Sequence, residues 1–298
     1  MPVRPHATWV APAWMVCSAL MGTLESVCMR ALGAEVGMGQ VLLFRSGVQL
    51  ALVLALALLP GRGLASLIGT GRLDLHLMRG GLAAVSWWCY FMSLRTLPLA
   101  LSTTLTFSTQ LFVLWLAWPL LRERATRAQQ VATLVGFAGV LVAAGLVDPA
   151  TVDLQVGYGI GASFLGALMV LITRKLSHTE RTETIMFYMA LVVFLSAIPQ
   201  CLLRWTPLSA ADTAWLMLTA LAGTAAAWMM VEAYRRAEAS ALAPYSYSRF
   251  VFAALLGWLL FGDGLVASTL SGAALIVGAN LWLAWHARSR SGGPTMRR

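Results

Sequence analysis

Charge inside an apolar run needs a physical reason, and Glu25, Arg45 and Arg249 stand well inside such runs. Arg249 lies about eight residues into its run, about 12 Å along a helix and close to the middle of a bilayer. A guanidinium at that depth must face protein or water, and it can grip a carboxylate or phosphate through two parallel N–H bonds. Tyr245 and Phe252 share its helical face. An aromatic ring therefore lies about one turn to either side, able to take the apolar or cationic part of the same solute. The sequence leaves three roles open for Arg249: a substrate anchor, a structural pair with an acid such as Glu25, or the wall of a water-filled vestibule.

Glu25 is about five residues, or about 7 to 8 Å, from the end of its run, and Arg45 lies at about the same depth in the next one. Equal depth makes them candidates for a pair that fixes the first helix to the second. An outer gate or proton-coupling role for Glu25, and snorkelling to the interface, are the alternatives. Glu232, on one stripe with Thr224 and Trp228, stands four residues before Arg236 and is a candidate for a local ion pair or an inner gate.

Much other chemistry is missing. Cys17 and Cys28 share the first run, eleven residues apart, and Cys89 and Cys201 stand singly in others, without metal spacing. His6, His76, His178 and His286 all fall at loops or ends, and there is no Walker A lysine and no pair of catalytic carboxylates. Gly157, Gly159 and Ala162 formally satisfy G-x-G-x-x-A, but no strand precedes them, so they read as helix packing. No cofactor, metal or enzyme activity is expected. A basic chain can bind nucleic acid, yet these charges are scattered over short loops and gather on no single face, so no nucleic-acid partner is expected.

The elements that position these residues follow from composition. With 59% hydrophobic and 11% charged residues and a mean hydropathy of +0.76, the chain is an integral membrane protein. Runs of about 20 residues are too long for barrel strands, so the bundle is all-α. Ten spans are expected near 9–29, 40–60, 77–95, 99–121, 128–147, 156–174, 184–203, 212–234, 241–261 and 266–286. If the N-terminus is cytoplasmic, 16 of the 21 basic residues fall in cytoplasmic segments, Arg79 and Arg174 among them. This asymmetry predicts cytoplasmic termini.

The span order also contains a repeat. Shifted by 140 residues and without a gap, Arg95 falls on Arg235, Trp88 on Trp228, Ser108 on Ser248, Thr109 on Arg249, Phe112 on Phe252 and Glu123 on Asp263. At a shift of 144, Gly22 meets Gly166 and Arg30 meets Arg174, while Glu25 has Met169 as its counterpart. The halves, 1–150 and 151–288, are five-helix units of opposite orientation, followed by a flexible basic tail at 289–298. Inverted repeats of this kind place a substrate site near the midplane where the halves meet. Thr109 and Arg249 lie there. In the run Ser86–Phe91 an interior aromatic is expected, and Trp88 is favoured because its mate is also a tryptophan. Tyr188 in the seventh span completes the candidate lining, while the hydroxyls of 102–109 other than Thr109 read by default as helix packing.

The corners RTLP at 95–98 and RRAEAS at 235–240, each followed by a long helix ending in an acid, resemble those of the EamA-type members of the drug/metabolite transporter superfamily. So do the closing helices VATLVGFAGVLVAAG and LSGAALIVGANLWLA. Within them, APYSYSRFVFAALLGWLLFGD is most similar to carriers of S-adenosylmethionine and other metabolites. The resemblance implies a ten-helix fold in which helices 1–4 and 6–9 surround a cavity, and transport of a small molecule without ATP. Small multidrug-resistance members carry a membrane-embedded Glu in their first helix, and Glu25 looks similar in position. The expectation is a secondary-active carrier of a small amphoteric metabolite, an amino acid or a nucleoside-containing derivative. The alternative is a proton-coupled drug or organic-cation exporter using Glu25. The expected setting is a bacterial inner membrane, the expected partners are substrate and lipid, and the expected working unit is a monomer or homodimer.

Overall fold

The computed structural model describes residues 9–32, 35–59, 63–96, 105–144, 154–262 and 267–291. Within them the chain forms helices and no strand. In order these are α1 (Val10–Arg30), α2 (Met38–Ala57), α3 (Leu64–Ile68), α4 (Leu73–Thr96), α5 (Thr109–Leu121), α6 (Arg127–Ala144), α7 (Leu154–Ser177), α8 (Thr182–Leu203), α9 (Ala210–Arg236), α10 (Ala239–Ser246), α11 (Ser248–Phe261) and α12 (Ala267–Ser291). Six of these, α1, α2, α7, α8, α9 and α12, are long and apolar enough to cross a membrane. The 24-residue α4, the shorter apolar helices Leu105–Leu121 and Arg127–Val142, and α10 with α11 make up the rest of the ten-span all-α bundle. Pro98, Ser102, Thr103, Thr104 and Asp263 lie outside the described residues. The tail expected from 289 starts as helix, since α12 continues through Ser291, and 292–298 are also outside the described residues.

The inverted repeat is visible in how the helices pack. The most extensive contacts all join the first half to the second, and each has its symmetry mate: α1 on α9 with α4 on α7, α2 on α9 with α4 on α8, and α1 on α11 with α5 on α7. The pairs α2–α8 and α6–α12 map onto themselves. Individual bonds repeat too. Ser18 donates to the Ala226 carbonyl at 2.8 Å, and at the equivalent crossing Ser86 donates to the Ala162 carbonyl at 2.8 Å. Where α6 crosses α12, a Cβ on Gly139 would stand 2.8 Å from the Gly272 carbonyl oxygen. Small residues let helix backbones approach this closely in a membrane, where apolar burial gives no drive of its own. Phe107 and Tyr247, mates at the 140 shift, touch with ring centroids 6.0 Å apart, so the pseudo-twofold axis runs between them.

The fourth and ninth spans are interrupted at equivalent points. Before α5 the helical piece at 105–107 gives way to a turn at Ser108, and α10 gives way to α11 at Tyr247. Both breaks use tightened three-residue bonds: Ser108 N to the Leu105 carbonyl at 3.0 Å, and Phe250 N to the Tyr247 carbonyl at 2.9 Å. Pro244, which has no N–H to donate, contributes to the second. Both spans also end alike, with left-handed caps at Arg122 (φ 59) and Gly262 (φ 69).

Charge and apolar packing gather at the face where α1 begins, here termed the basic face. Arg236 stacks on Trp14, while Glu232 accepts from the Thr182 hydroxyl and from Arg236. Arg79, counted from sequence with the loop cations, is instead 1% exposed, donating to Thr173 Oγ1 at 2.6 Å and to the Ile185 carbonyl at 3.2 Å. Position 79 lies in the second turn of α4 on the face packed against α7 and α8, and its long side chain turns inward to partners on both.

Candidate functional site

The first cluster is the ion pair between Glu25 on α1 and Arg45 on α2, with the indole of Trp87 against the guanidinium at 4.9 Å. α9 closes it from the other half: a Cβ on Gly223 would lie 2.7 Å from Glu25 Cδ and 2.9 Å from Arg45 Nε. Glycine is needed there because two locked side chains fill the space a methyl would take. At the symmetry-related position the trio Glu25, Arg45 and Gly223 becomes Met169, Met189 and Ala83, which pack as an apolar cluster. The pair is thus an ionic substitution in a frame that also accepts methionines.

The second cluster surrounds Arg249, the second residue of α11 and so directly after the helix break. Its Nη2 donates to the Gly22 carbonyl at 3.1 Å and to Ser26 Oγ at 2.9 Å. Thr23 Oγ1 donates to the Arg249 carbonyl at 3.3 Å, which ties the break to α1. Gly22 makes room for the guanidinium, whose Cζ would be 3.6 Å from a Cβ added there. Tyr90 of α4 is near enough to feel its charge. Among the described residues Arg249 makes no ion pair, Glu25 being engaged by Arg45, and both Arg249 and Ser26 are exposed. Thr109 occupies the mate position and repeats the arrangement: a Cβ on Gly166 would stand 3.5 Å from its Oγ1.

The remaining candidates are dispersed. Tyr245 is 8% exposed within the basic-face core, one turn before Arg249 and across the tightened turn at Tyr247. Phe252 is half-buried on α11. Trp88 is 51% exposed with its ring edge-on to Tyr158, and Trp87 is the indole that meets the ion pair, because the neighbouring position points to α2. Trp228 packs beside the cluster that contains Tyr188. The Tyr188 ring stacks on His76 at 4.7 Å and its hydroxyl donates to the Ile68 carbonyl at 2.7 Å, so its polar end holds α3. Glu232 is held by Thr182, Arg235 and Arg236.

Sequence reasoning missed Gly22, Ser26 and Gly223. Small residues in a membrane helix read as generic packing, and the one available signal was that Gly22 is matched by Gly166 in the repeat. It also missed the two breaks, since neither has a proline or glycine at the interrupted residue itself. Among the described residues no group of acids, histidines and cysteines could hold a metal.

The model of the EamA-like transporter family matches residues 9–145 and 154–285. The S-adenosylmethionine uptake transporter of Rickettsia prowazekii (strain Madrid E) is 26% identical over 272 residues, covering 91% of this chain and 90% of that protein. The riboflavin transporter of Brucella anthropi is 31% identical over 278 residues, covering 90% and 95%. The pseudopaline exporter of Pseudomonas aeruginosa is 26% identical over 266 residues, covering 88% and 91%. A solved crystal structure aligns with a TM-score of 0.80 at 20% identity, over 96% of this chain and all of the other, which shows a shared fold. With both halves matched and the inverted repeat seen in the packing, the chain belongs to the EamA-like transporter family of the drug/metabolite transporter superfamily, and is a multi-pass membrane transporter protein rather than an enzyme.

Proposed function

We propose that this protein is a secondary-active carrier that moves a small amphoteric metabolite by alternating access, with Arg249 as the anchor for the solute's carboxylate or phosphate. The observation that carries this reading is the state of Arg249: exposed, held in place by Gly22 and Ser26, and without an acid partner among the described residues. An accessible guanidinium without an acid partner is suited to receive a bidentate anion brought by the substrate. The relatives point the same way, since S-adenosylmethionine combines a carboxylate with a cationic centre, and the protein from Rickettsia is named for its uptake. Tyr90, Thr109 and Phe252 are the residues around the midplane assigned to the rest of the solute. The basic face is assigned to the cytoplasm of a bacterial inner membrane. Glu25 is assigned a bracing role, because Arg45 pairs with it while Trp87 and Gly223 pack against the pair.

The test is accumulation of labelled amino acids, S-adenosylmethionine, riboflavin, nucleosides and organic cations in proteoliposomes, with and without a pH gradient. An anionic or zwitterionic solute should accumulate in wild type and fail to do so in Arg249→Gln. Accumulation of cations alone, undiminished in Arg249→Gln and lost in Glu25→Gln, would overturn the assignment in favour of a proton-coupled exporter.

A further inference from the structure

Glu123 stands at the end of α5 in the first half, yet each of its strong contacts belongs to the second. Its Oε1 accepts from Arg174 Nε at 2.8 Å, and its Oε2 accepts from the Ala239 backbone N–H at 2.9 Å. Arg174, 7% exposed, also donates through Nη1 to the Tyr234 carbonyl. One carboxylate thereby gathers the ends of α5, α7 and α9 and the start of α10. The local fold aims it there. Arg122 takes the left-handed conformation (φ 59), its N–H bonds the Trp118 carbonyl at 2.9 Å, and the Glu123 N–H reaches back to the Ala117 carbonyl at 3.3 Å. This closing turn of α5 directs Glu123 back across the bundle. The N–H of Ala239 is one of the donors left open at the start of a helix, where negative charge is favoured. Glu123 therefore caps a helix of the opposite half.

Beneath this contact lies a closed apolar layer: Val113, Ala117, Val170, Leu171, Ala233 and Leu242, none more than 6% exposed, belong to one cluster. Toward the other face Ser26 and Arg249 are exposed. The basic face is thus the more tightly packed end of the bundle. We propose that Glu123 is the latch of the basic face: its hold on Arg174 and on the Ala239 amide keeps α5 against α7 and α10, and inward opening requires its release. This rests on the alternating-access reading above. The latch joins a first-half residue to second-half partners, which is where two rocking halves must part. Glu238, next to Ala239, adds a consistent electrostatic sign. Burial pushes its carboxyl above the usual range, the Glu123 charge adds to this, and Arg174 opposes it.

The test uses the full chain in vesicles of defined orientation, with Cys17, Cys89 and Cys201 replaced by serine. Cys28, near the far end of α1, reports on one face, and Val170→Cys reports on the sealed layer. A membrane-impermeant maleimide is applied from each side. Glu123→Gln should raise labelling of Val170→Cys from the basic face on the order of tenfold and lower that of Cys28 from the opposite face. Arg174→Lys, which keeps a charge for Glu123 but drops the guanidinium contacts, should shift both rates in the same directions by less. Opposite movement of the two rates separates a latch from a merely structural contact, whose loss raises both. The proposal is overturned if folded Glu123→Gln leaves both rates unchanged or raises both. Should Glu123→Gln not fold, Arg174→Lys decides by the same criterion. Failure of the underlying transport reading looks different: no solute would then accumulate with wild type, and the labelling rates of wild type would not respond to any added solute.

Discussion

If the Glu25–Arg45 pair is a brace, replacing it with its symmetry mates should restore what single substitutions destroy. Glu25→Met leaves Arg45 without an acid and facing Arg79, whose charge is near enough to interact with it. Breaking a buried pair in this way costs about 3–5 kcal/mol. Gly223→Ala alone forces a methyl to within 2.7 Å of Glu25 Cδ and 2.9 Å of Arg45 Nε, an overpacking cost of about 1–3 kcal/mol. The triple change Glu25→Met, Arg45→Met, Gly223→Ala reproduces the apolar cluster of Met169, Met189 and Ala83. Replacing a buried ion pair by packed apolar groups of similar volume is often neutral or stabilising, so the triple variant should lie within about 1 kcal/mol of wild type. The assay is the midpoint of thermal unfolding in detergent, followed by tryptophan fluorescence, with solute accumulation measured in parallel. At about 2–4 °C per kcal/mol, Glu25→Met should melt roughly 6–20 °C below wild type and the triple variant close to it. A triple variant as unstable as Glu25→Met would refute the symmetry argument. A stable triple variant that no longer transports would refute the bracing role and return Glu25 to the mechanism.

Two further outcomes follow from the packing. Gly139→Ala presses a methyl against the Gly272 carbonyl oxygen at 2.8 Å, and backbone cannot swing aside as a side chain can. A loss of about 1–3 kcal/mol is expected, measured as a lower thermal midpoint. Tyr247→Phe removes a buried hydroxyl that has no hydrogen-bond partner among the described residues, so stability should be unchanged or higher by up to about 1 kcal/mol in the same melt. A marked fall would show that the hydroxyl has a partner after all.

The architecture was legible because bilayer physics leaves few options: apolar length counts the spans, basic loops orient them, and matched residues at fixed shifts reveal the halves. The meeting of Glu25 and Arg45 was legible for the same reason, since equal depth in adjacent antiparallel helices brings side chains together. Arg79 was misread as a loop charge because a long side chain near a helix end can point either way. Trp87 and Trp88 differ by one position, or about 100° around a helix, and composition cannot say which indole faces α2. The clasp of Ser18 and the accommodation made by Gly22 and Gly223 depend on close approach of two backbones, a property of the pair that neither helix carries alone.

That the most extensive helix contacts run between halves, with few inside either, has a consequence for how the protein is made. A newly inserted first half has helices but few partners, and its Glu25–Arg45 pair lacks the α9 surface that closes over it. At about 5–20 residues per second, the second half takes on the order of 10–30 seconds to arrive. During that interval the buried charges and small-residue faces of the first half are open to lipid, to the insertion machinery and to proteases. The two-part ancestry seen in the repeat has therefore not left two independent folding units. Most of the core can form only after α7, α8 and α9 are present to dock against α4, α2 and α1.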